Sequence, residues 1–448
     1  MNKDMVMAKE IAKKVAEKGG RTFFVGGLVR DKLLNIDNKD IDIEIHNISP
    51  SELRNILSSL GEVTEMGASF GILGLKGFDI DIAQPRIEKS NGRGGHKDFE
   101  VFVDPFIGFE KAAKRRDFTI NALMMDVLTG EVLDFFNGKE DLKNGIIRHV
   151  NENTFIEDPL RVLRAAQFAA RFDFAVANET IELAKNMDLS SLARERISGE
   201  LSKALLKANK PSIFFEELRK MNQLDVWFPE VVNLIGVEQN EIYHPEGDVW
   251  NHTMLVLNEA AKVRSESSNE FAFMLAALAH DFGKPFATTN ENGKIRAIDH
   301  EKIGLAYVEN FLDRVINTID IKKYVLNMTE LHMKPNMLAS QNSSKKKTNK
   351  MFDASVNPKD LCLLAKADHF GRGKKDDYPQ ELFLKERLDW FNYTISQPEV
   401  SGKDLINAGI KPGPIFTKML KESHALLLSN VCKEHALSQV IANHKDEI

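Results

Sequence analysis

Asp40-Ile41-Asp42 places two carboxylates two positions apart in the alternating run DIDIEIH. On a strand, positions i and i+2 share a face. Two carboxylates on one face repel each other unless a cation lies between them. Hard oxygen ligands of this kind suit Mg²⁺, which also takes substrate phosphates and waters. Two such ions can activate an attacking hydroxyl and stabilise a leaving pyrophosphate. Asp79 and Asp81 repeat the D-x-D spacing in GFDIDIAQPR, and Asp81 is the preferred third acid. Just upstream, Val25–Asp31 reads as strand, Gly26-Gly27 turn and helix start. Glycine lets the backbone approach a ligand closely. The free N–H groups of the new helix can hold a phosphate, and Arg30 is expected to project towards that anion. A bare D-x-D also fits a solvent-facing edge strand, and a bare Gly-Gly an ordinary turn. Their succession is what makes the pair specific.

Two further runs carry chemistry of the same kind. Arg115-Arg116-Asp117 precedes Phe118-Thr119-Ile120-Asn121. Guanidiniums neutralise a triphosphate with a bidentate geometry that Lys cannot copy, and Asp117 and Asn121 can bond ribose hydroxyls. In EDPLRVLR, Asp158, Arg161 and Arg164 stand at i, i+3 and i+6, so one helix face carries all three. That spacing also fits a capped helix with solvated arginines. Cytosine and adenine each present an amino donor beside a ring-nitrogen acceptor. An Asp that accepts and an Arg that donates match both bases and leave uracil or guanine with opposed groups. Each unpaired polar group then costs about 1–3 kcal/mol.

The second half of the chain holds His252, His280-Asp281, His300, His332 and Asp368. Mixed imidazole and carboxylate ligands suit Mn²⁺, Fe²⁺, Ni²⁺, Zn²⁺ or Mg²⁺ without choosing among them. An open coordination position would activate water against a phosphoester. His300 and His332 can hold a second metal or a phosphate. Each histidine singly is as well read as a structural residue.

These residues need elements to position them. Residues 2–18 read as a helix stopped by Gly19-Gly20, and Arg21–Val25 as a strand. Asp40–His46 reads as a half-buried strand. Ser49-Pro50-Ser51-Glu52 opens a helix. Strands are expected near 62–66, 71–84 and 98–104, and a hairpin over 124–136 turning at Thr129-Gly130. From about residue 150 the pattern turns helical, with a strong helix from Asp158-Pro159 to about Arg171 on Leu160, Leu163, Ala166 and Phe168. A boundary is expected near 235–245, at YHPEGDVWNH. Gln341–Lys350 reads as a polar, basic loop. Gly67–Gly71 fits G-x-S-x-G, but strand rather than helix is expected after it, so a nucleophile elbow is set aside.

Composition narrows the class. The 448 residues are 43% hydrophobic and 28% charged, which suits a soluble multidomain chain and excludes collagen-like or wholly disordered ones. The net charge is −6, so nucleic acid would be bound through local basic patches. Cys362 and Cys432 form no C-x-x-C pair, excluding a zinc ribbon or disulfide scaffold. No signal peptide and no membrane span are expected, and the cytoplasm is the expected compartment.

GGLVRD, DID, RRDFTINAL, DFFNGKEDL, EDPLRVLRAAQFAARF and ERISGEL occur in this order. The series resembles the class II tRNA nucleotidyltransferases, the CCA-adding enzymes, of the polymerase-beta and poly(A) polymerase superfamily. The resemblance covers about the first 210 residues densely. It implies an α+β multidomain chain, with a nucleotidyltransferase head of β-sheet and flanking helices (1–150). A helical nucleotide- and RNA-binding neck follows (151–240). It implies Mg²⁺ on Asp40 and Asp42, and nucleotide contacts from Gly26, Gly27, Arg30, Arg116, Asp117 and Asn121. Asp158, Arg161 and Arg164 would read the base. Asp134–Gly138 looks like the element that shifts the head between C and A, and Glu88–Asp98 like the loop needed for the final A. The chain has Gln167 where the family often has Arg. HPEGDVWNHT and ALAHDFGKP resemble an HD phosphohydrolase domain (241–375) fused to some bacterial members, with His252, His280, Asp281 and Asp368 on a divalent transition metal. In those members the resemblance implies cyclic phosphodiesterase, 2′-nucleotidase or phosphatase activity. A helical C-terminal region (376–448) follows.

The implied partners are tRNA, ATP and CTP, and no membrane. The sequence carries no signal of oligomeric state. A-only addition, CC-only addition and poly(A) synthesis share these motifs. The basic C-terminal extension of many bacterial poly(A) polymerases is not seen. A phosphohydrolase with a merely nucleotide-binding head is the reading from another class. An inert RNA-binding module is disfavoured by two acidic metal sets.

Overall fold

The computed structural model describes residues 3–66, 72–90, 99–373 and 377–445. The chain divides into two compact units, residues 1–192 with 217–223, and residues 193–216 with 224–448.

The first unit is built on a seven-stranded sheet. In chain order its strands are β1 (Arg21–Val25), β2 (Ile41–His46), β3 (Val63–Met66), β4 (Ile72–Leu75) and β5 (Ile80–Ala83). A separate hairpin, β6 (Arg86–Ser90) with β7 (Phe99–Val103), precedes β8 (Met124–Asp126) and β9 (Val132–Leu133). The sheet order is β3-β4-β5-β2-β1-β8-β9. Only β2 and β5 pair in parallel, with Asp42 opposite Asp81. Thr22, Phe23, Phe24 and Val25 are β-branched or aromatic, which suits a pleated buried strand. The helix Lys3–Glu17 covers the sheet with Ala8, Ile11, Ala12 and Val15, at i, i+3, i+4 and i+7 on one face. Ser49 caps the helix Pro50–Ser58 by accepting the Glu52 amide, as its sequence predicts. The hairpin expected over 124–136 is β8-β9, with Gly130 at φ 76°.

Two expectations need correction. The run 40–46 is not half-buried: β2 lies inside the sheet, and Glu44 and His46 are buried along with Ile43 and Ile45. Gln341–Lys350 is a loop only as far as Ser344. Lys345–Asp353 is a helix, anchored by buried Met351 and Phe352 and by Asn349 Nδ2 donating to the Leu428 carbonyl. Its lysines lie on the exposed side, and the two apolar residues beyond them supply the burial that a charge-run reading overlooks. Residues 91–98 of the predicted loop and the G-x-S-x-G run lie outside the described residues.

The second unit is helical apart from a hairpin, Thr288–Glu291 with Lys294–Ala297, that the sequence reading did not anticipate. The helix Glu270–Ala279 (EFAFMLAALA) is apolar all round, with every residue from Ala272 onward buried. Such a helix belongs at a core's centre. It packs against Val249–Val263, Ile319–Leu331 and Pro358–Phe370. Val400, Leu405, Ile410, Met419, Ala436 and Val440 form a smaller core near the C-terminus.

Candidate active sites

In the first unit, β1 ends at Gly26, with φ 64°. A Cβ there would face Arg116 Nη1 at 3.6 Å and Asp42 Oδ2 at 3.8 Å. The turn therefore brings backbone against a cation and a carboxylate together. Gly27 begins the helix Gly27–Leu33 and lies close to Arg30 Nη2 and Asn38 Nδ2.

Asp42 is half-buried, and Asp40, one residue before β2, is exposed. Burial raises the Asp42 pKa, Asp81 raises it further, and Arg116 partly offsets both. Burial raises Asp81 too, followed by Asp79 and Asp40. Adjacent acids that suppress one another's ionisation suit a divalent cation. They are not drawn tightly together, since no three of them bring ligand atoms within 4.8 Å of one another.

Glu44, next on the same face, anchors the arginines. Arg116 Nη2 donates to Glu44 Oε2 at 2.9 Å, Arg115 Nη2 lies 3.6 Å from the same oxygen, and His46 Nε2 lies 3.0 Å from Oε1. Burial opposes ionisation of Glu44, but Arg116 and His46 prevail and hold its pKa down to about 2. The sequence reading passed over Glu44, although its i+2 relation to Asp42 is legible in DIDIEIH.

One polar network joins three motifs. Arg30 does not project freely: it is buried, donates to Asp31 Oδ1 at 2.7 Å and to Asn121 Oδ1 at 2.7 Å, and lies over the Phe172 ring. Asn121 Nδ2 donates to Asp117 Oδ1 at 3.0 Å. Asp117 Oδ2 accepts from Arg164 Nε at 2.8 Å and lies 2.7 Å from its Nη2. Burial would raise the Asp117 pKa, but Arg164 and Asn121 bring it below the usual carboxylate range. Arg161 lies one turn earlier on the same helix, with Nη1 on the Thr154 carbonyl and Nη2 on the Arg115 carbonyl. Asp158 Oδ1 accepts the Leu160 amide at that helix's start.

The second unit gathers the expected ligands at the C-terminal end of Glu270–Ala279. His252 Nε2 lies 3.1 Å from Asp368 Oδ1 and 3.7 Å from Asp281 Oδ2, and His280 Nε2 lies 3.2 Å from that Asp281 oxygen. On the other Asp281 oxygen, His300 Nε2 stands at 3.2 Å and His332 Nε2 at 3.7 Å. Asp281 thus faces two clusters, one through each oxygen.

The imidazole geometry tests whether a metal fits. Nδ1 of His280, His300 and His332 faces the carbonyls of Ala277, Ala297 and Thr329 at 2.7–2.8 Å. A carbonyl only accepts, so each Nδ1 carries a proton, and in the neutral ring each Nε2 presents a lone pair. Yet the Nε2 atoms of His300 and His332 lie 3.3 Å apart. Two facing lone pairs require a cation or a proton between them. Burial, then His280 and His300, keep the His332 pKa at about 3. His280 Nε2 and both Asp281 oxygens are buried, and apart from the Lys284 ion pair on Oδ2 the oxygens face imidazole nitrogens. The donor set fits divalent metal.

Glu246 completes the surroundings. Its Oε1 is 2.8 Å from His252 Nδ1 and 2.9 Å from His244 Nδ1, which orients the ligand ring. Lys284 Nζ lies 2.7 Å from Asp281 Oδ2 and donates to Gln239 Oε1. Neither residue was anticipated. Glu246 stands in the quoted YHPEGDVWNH run, and Lys284 stands at i+3 from Asp281.

Comparisons with known proteins cover both regions of the chain. A family model described as the poly A polymerase head domain matches residues 22–148, and an HD domain model matches residues 249–373. The multifunctional CCA protein of Actinobacillus pleuropneumoniae serotype 5b (strain L20) is 34% identical over 392 residues, 84% of this chain and 92% of that protein. The one from Pseudoalteromonas atlantica (strain T6c) is 32% identical over 434 residues, 92% of this chain and all of that protein. A solved structure, the Bacillus stearothermophilus CCA-adding enzyme in complex with CTP, superposes with a TM-score of 0.68 at 20% identity. It covers 100% of this chain and 99% of that one, a likeness of fold. With a head that gathers Gly26, Asp42 and Arg116, an HD domain later in the chain, and relatives matched over most of both lengths, this chain belongs to the multifunctional CCA protein family of tRNA nucleotidyltransferases.

Proposed function

We propose that the first unit adds C, C and A to tRNA 3′ ends from CTP and ATP, with Asp40, Asp42 and Asp81 as the acidic set. The observation that carries this assignment is the placement of Asp42 and Arg116 together against the Gly26 backbone. Mg²⁺ held by Asp40 and Asp42 would supply the charge that lowers the pKa of the tRNA 3′-hydroxyl and stabilises the leaving group. The 3′-oxygen attacks the α-phosphorus of the nucleotide, the bond to the β-phosphate oxygen breaks, and pyrophosphate departs. Arg116, fixed by Glu44, meets the triphosphate. Asp117 and Asn121 set the ribose edge through Arg30 and Arg164. Asp158, Arg161 and Arg164 read the base, with the Arg161 fork steadied by two backbone carbonyls and Arg164 by Asp117. End-sequencing of tRNAs lacking C74, C75 or A76 after incubation with Mg²⁺, CTP and ATP tests it. Complete CCA on all three supports the reading. A-only, CC-only or long A products overturn it.

The second unit favours a separate activity, metal-dependent phosphoester hydrolysis. The facing Nε2 atoms around Asp281 support it. His252, His280, Asp281 and Asp368 would hold one divalent ion, and Asp281, His300 and His332 a second. The bound metal would supply an activated water. Phosphate release that survives Asp40→Ala and is lost in Asp281→Ala supports an independent hydrolase. Release that tracks Asp40 overturns it.

A further inference from the structure

We propose that Arg372 is the phosphate-gripping residue of the second unit's metal centre, and that it exchanges a metal-ligand carboxylate for the phosphate of a nucleotide substrate. The proposal rests on the hydrolase reading above and adds to it the residue that recognises the substrate.

Arg372 stands four residues after Asp368, just past the end of the helix Pro358–Phe370. Its Nη2 lies 3.3 Å from Asp368 Oδ2, while Asp368 Oδ1 turns to His252. This is a single long contact, not the paired fork that an arginine makes with a committed carboxylate. Its Nε is buried and has no hydrogen-bond partner among the described residues. A buried unsatisfied donor is costly to keep, and the cost is recovered when a ligand supplies the acceptor. The side chain lines a cleft of about 280 Å³ together with Asp281, Lys284, His300, His332 and Asp368. Gly371 keeps the turn close to the core, because a Cβ there would clash with Val256 Cγ2. The guanidinium is therefore held at the cluster with donors to spare.

The cleft's chemistry sets the ligand class. Lys284 and Arg372 add fixed positive charge beside the lone pairs of His300 and His332, which suits a phosphate dianion. The volume lies at the small end for ligand sites, right for a phosphorylated sugar edge. Tyr243, 64% exposed on the cleft's rim, offers a stacking face for the attached base. The ligand inferred is a nucleoside phosphomonoester or cyclic phosphate, held by Arg372 on the phosphate.

The test uses the full chain loaded with Ni²⁺ or Mn²⁺. Arg372→Ala and Arg372→Lys are compared with wild type for hydrolysis of a nucleoside 2′-phosphate, inhibition by inorganic phosphate and bound metal by elemental analysis. Arg372→Ala is expected to raise KM and the phosphate inhibition constant together by about ten- to a hundredfold, the loss of a charge-assisted hydrogen bond. Metal content should be unchanged, and Arg372→Lys should recover part of the affinity. Unchanged KM and phosphate inhibition overturn the proposal. So does loss of metal with normal KM in the loaded fraction, which would make Arg372 only a support for Asp368. If wild type hydrolyses nothing yet binds phosphate through Arg372, the hydrolase reading falls and the phosphate grip stands.

Discussion

Asp42 and Asp81 are register partners on the parallel strands β2 and β5, and Asp81 helps to keep the Asp42 carboxyl from ionising. A group with this raised pKa binds its proton more tightly folded than unfolded. As pH rises through the window between its unfolded and folded pKa values, the folded state loses stability. Asp42→Asn is therefore expected to melt higher than wild type at pH 7 without metal. The gain should vanish at a pH below the unfolded carboxyl pKa of about 3.9. Thermal melts at the two pH values check this, and a lower melting point at pH 7 would sink it. The same variant should lose CCA addition entirely, a gain in stability at the expense of function.

Asp81→Asn separates support from ligation. If Asp81 assists the ions held by Asp40 and Asp42, its loss should raise the Mg²⁺ needed for half-maximal CCA addition by about ten- to a hundredfold. Saturating Mg²⁺ should restore much of the rate. A Mg²⁺ titration of incorporation reads this directly, and an unshifted titration removes Asp81 from the site.

Glu44 is predicted to be both an anchor and a source of stability. Its pKa, held to about 2 by Arg116 and His46 against burial, lies below the unfolded value. Its contribution is thus fully present above about pH 4.3 and is lost as pH falls towards 2. Glu44→Gln should lower the neutral-pH melting point and flatten its decline below pH 4. With Arg116 released, KM for CTP and ATP should rise about tenfold or more. Melts against pH and initial-rate kinetics give the two readouts, and normal values of both would contradict the anchor role.

Asp117 and Arg164 form a partly buried pair 47 positions apart in sequence, tied through Asn121 to Arg30. Removing one partner of such a charge-assisted hydrogen bond costs about 1.5–3 kcal/mol. Asp117→Ala should destabilise more than Asp117→Asn, and Arg164→Lys should keep charge but lose the fork. Urea melts rank the three variants. If Asp117→Ala proves neutral, the network does not hold the motifs together.

The histidine cluster should bind metal independently of the head. Asp281→Ala touches both clusters, so bound transition metal should fall to near zero by elemental analysis, whereas His332→Ala should reduce two ions to one. CCA addition should persist in both. Retained stoichiometry in Asp281→Ala would exclude a carboxylate shared between the two clusters.

Much of the head was legible in the chain because its chemistry is local. Gly26-Gly27, Arg30, Asp40 and Asp42 follow one another across a strand, a turn and a strand. Spacing alone puts the two acids on one face, and Ser49 announces its cap. The lysine run at 345–347 misled because charge marks only the exposed side of a helix. The hairpin at 288–297 went unread because its strands are short, polar and largely exposed, with no apolar alternation to mark them.

The candidate site residues were therefore legible in the sequence, through residue type and near spacing, in both halves of the chain. Tertiary structure decided their partners. Folding put Asp81 beside Asp42, Glu44 under Arg116 and Arg164 on Asp117, because β5, the RRD turn and the helix Leu160–Phe172 approach β2 from distant parts of the chain. It also turned the Nε2 atoms of His300 and His332 towards each other around Asp281. No spacing rule predicts such a contact, since it depends on how helices far apart in sequence pack around the buried helix Glu270–Ala279.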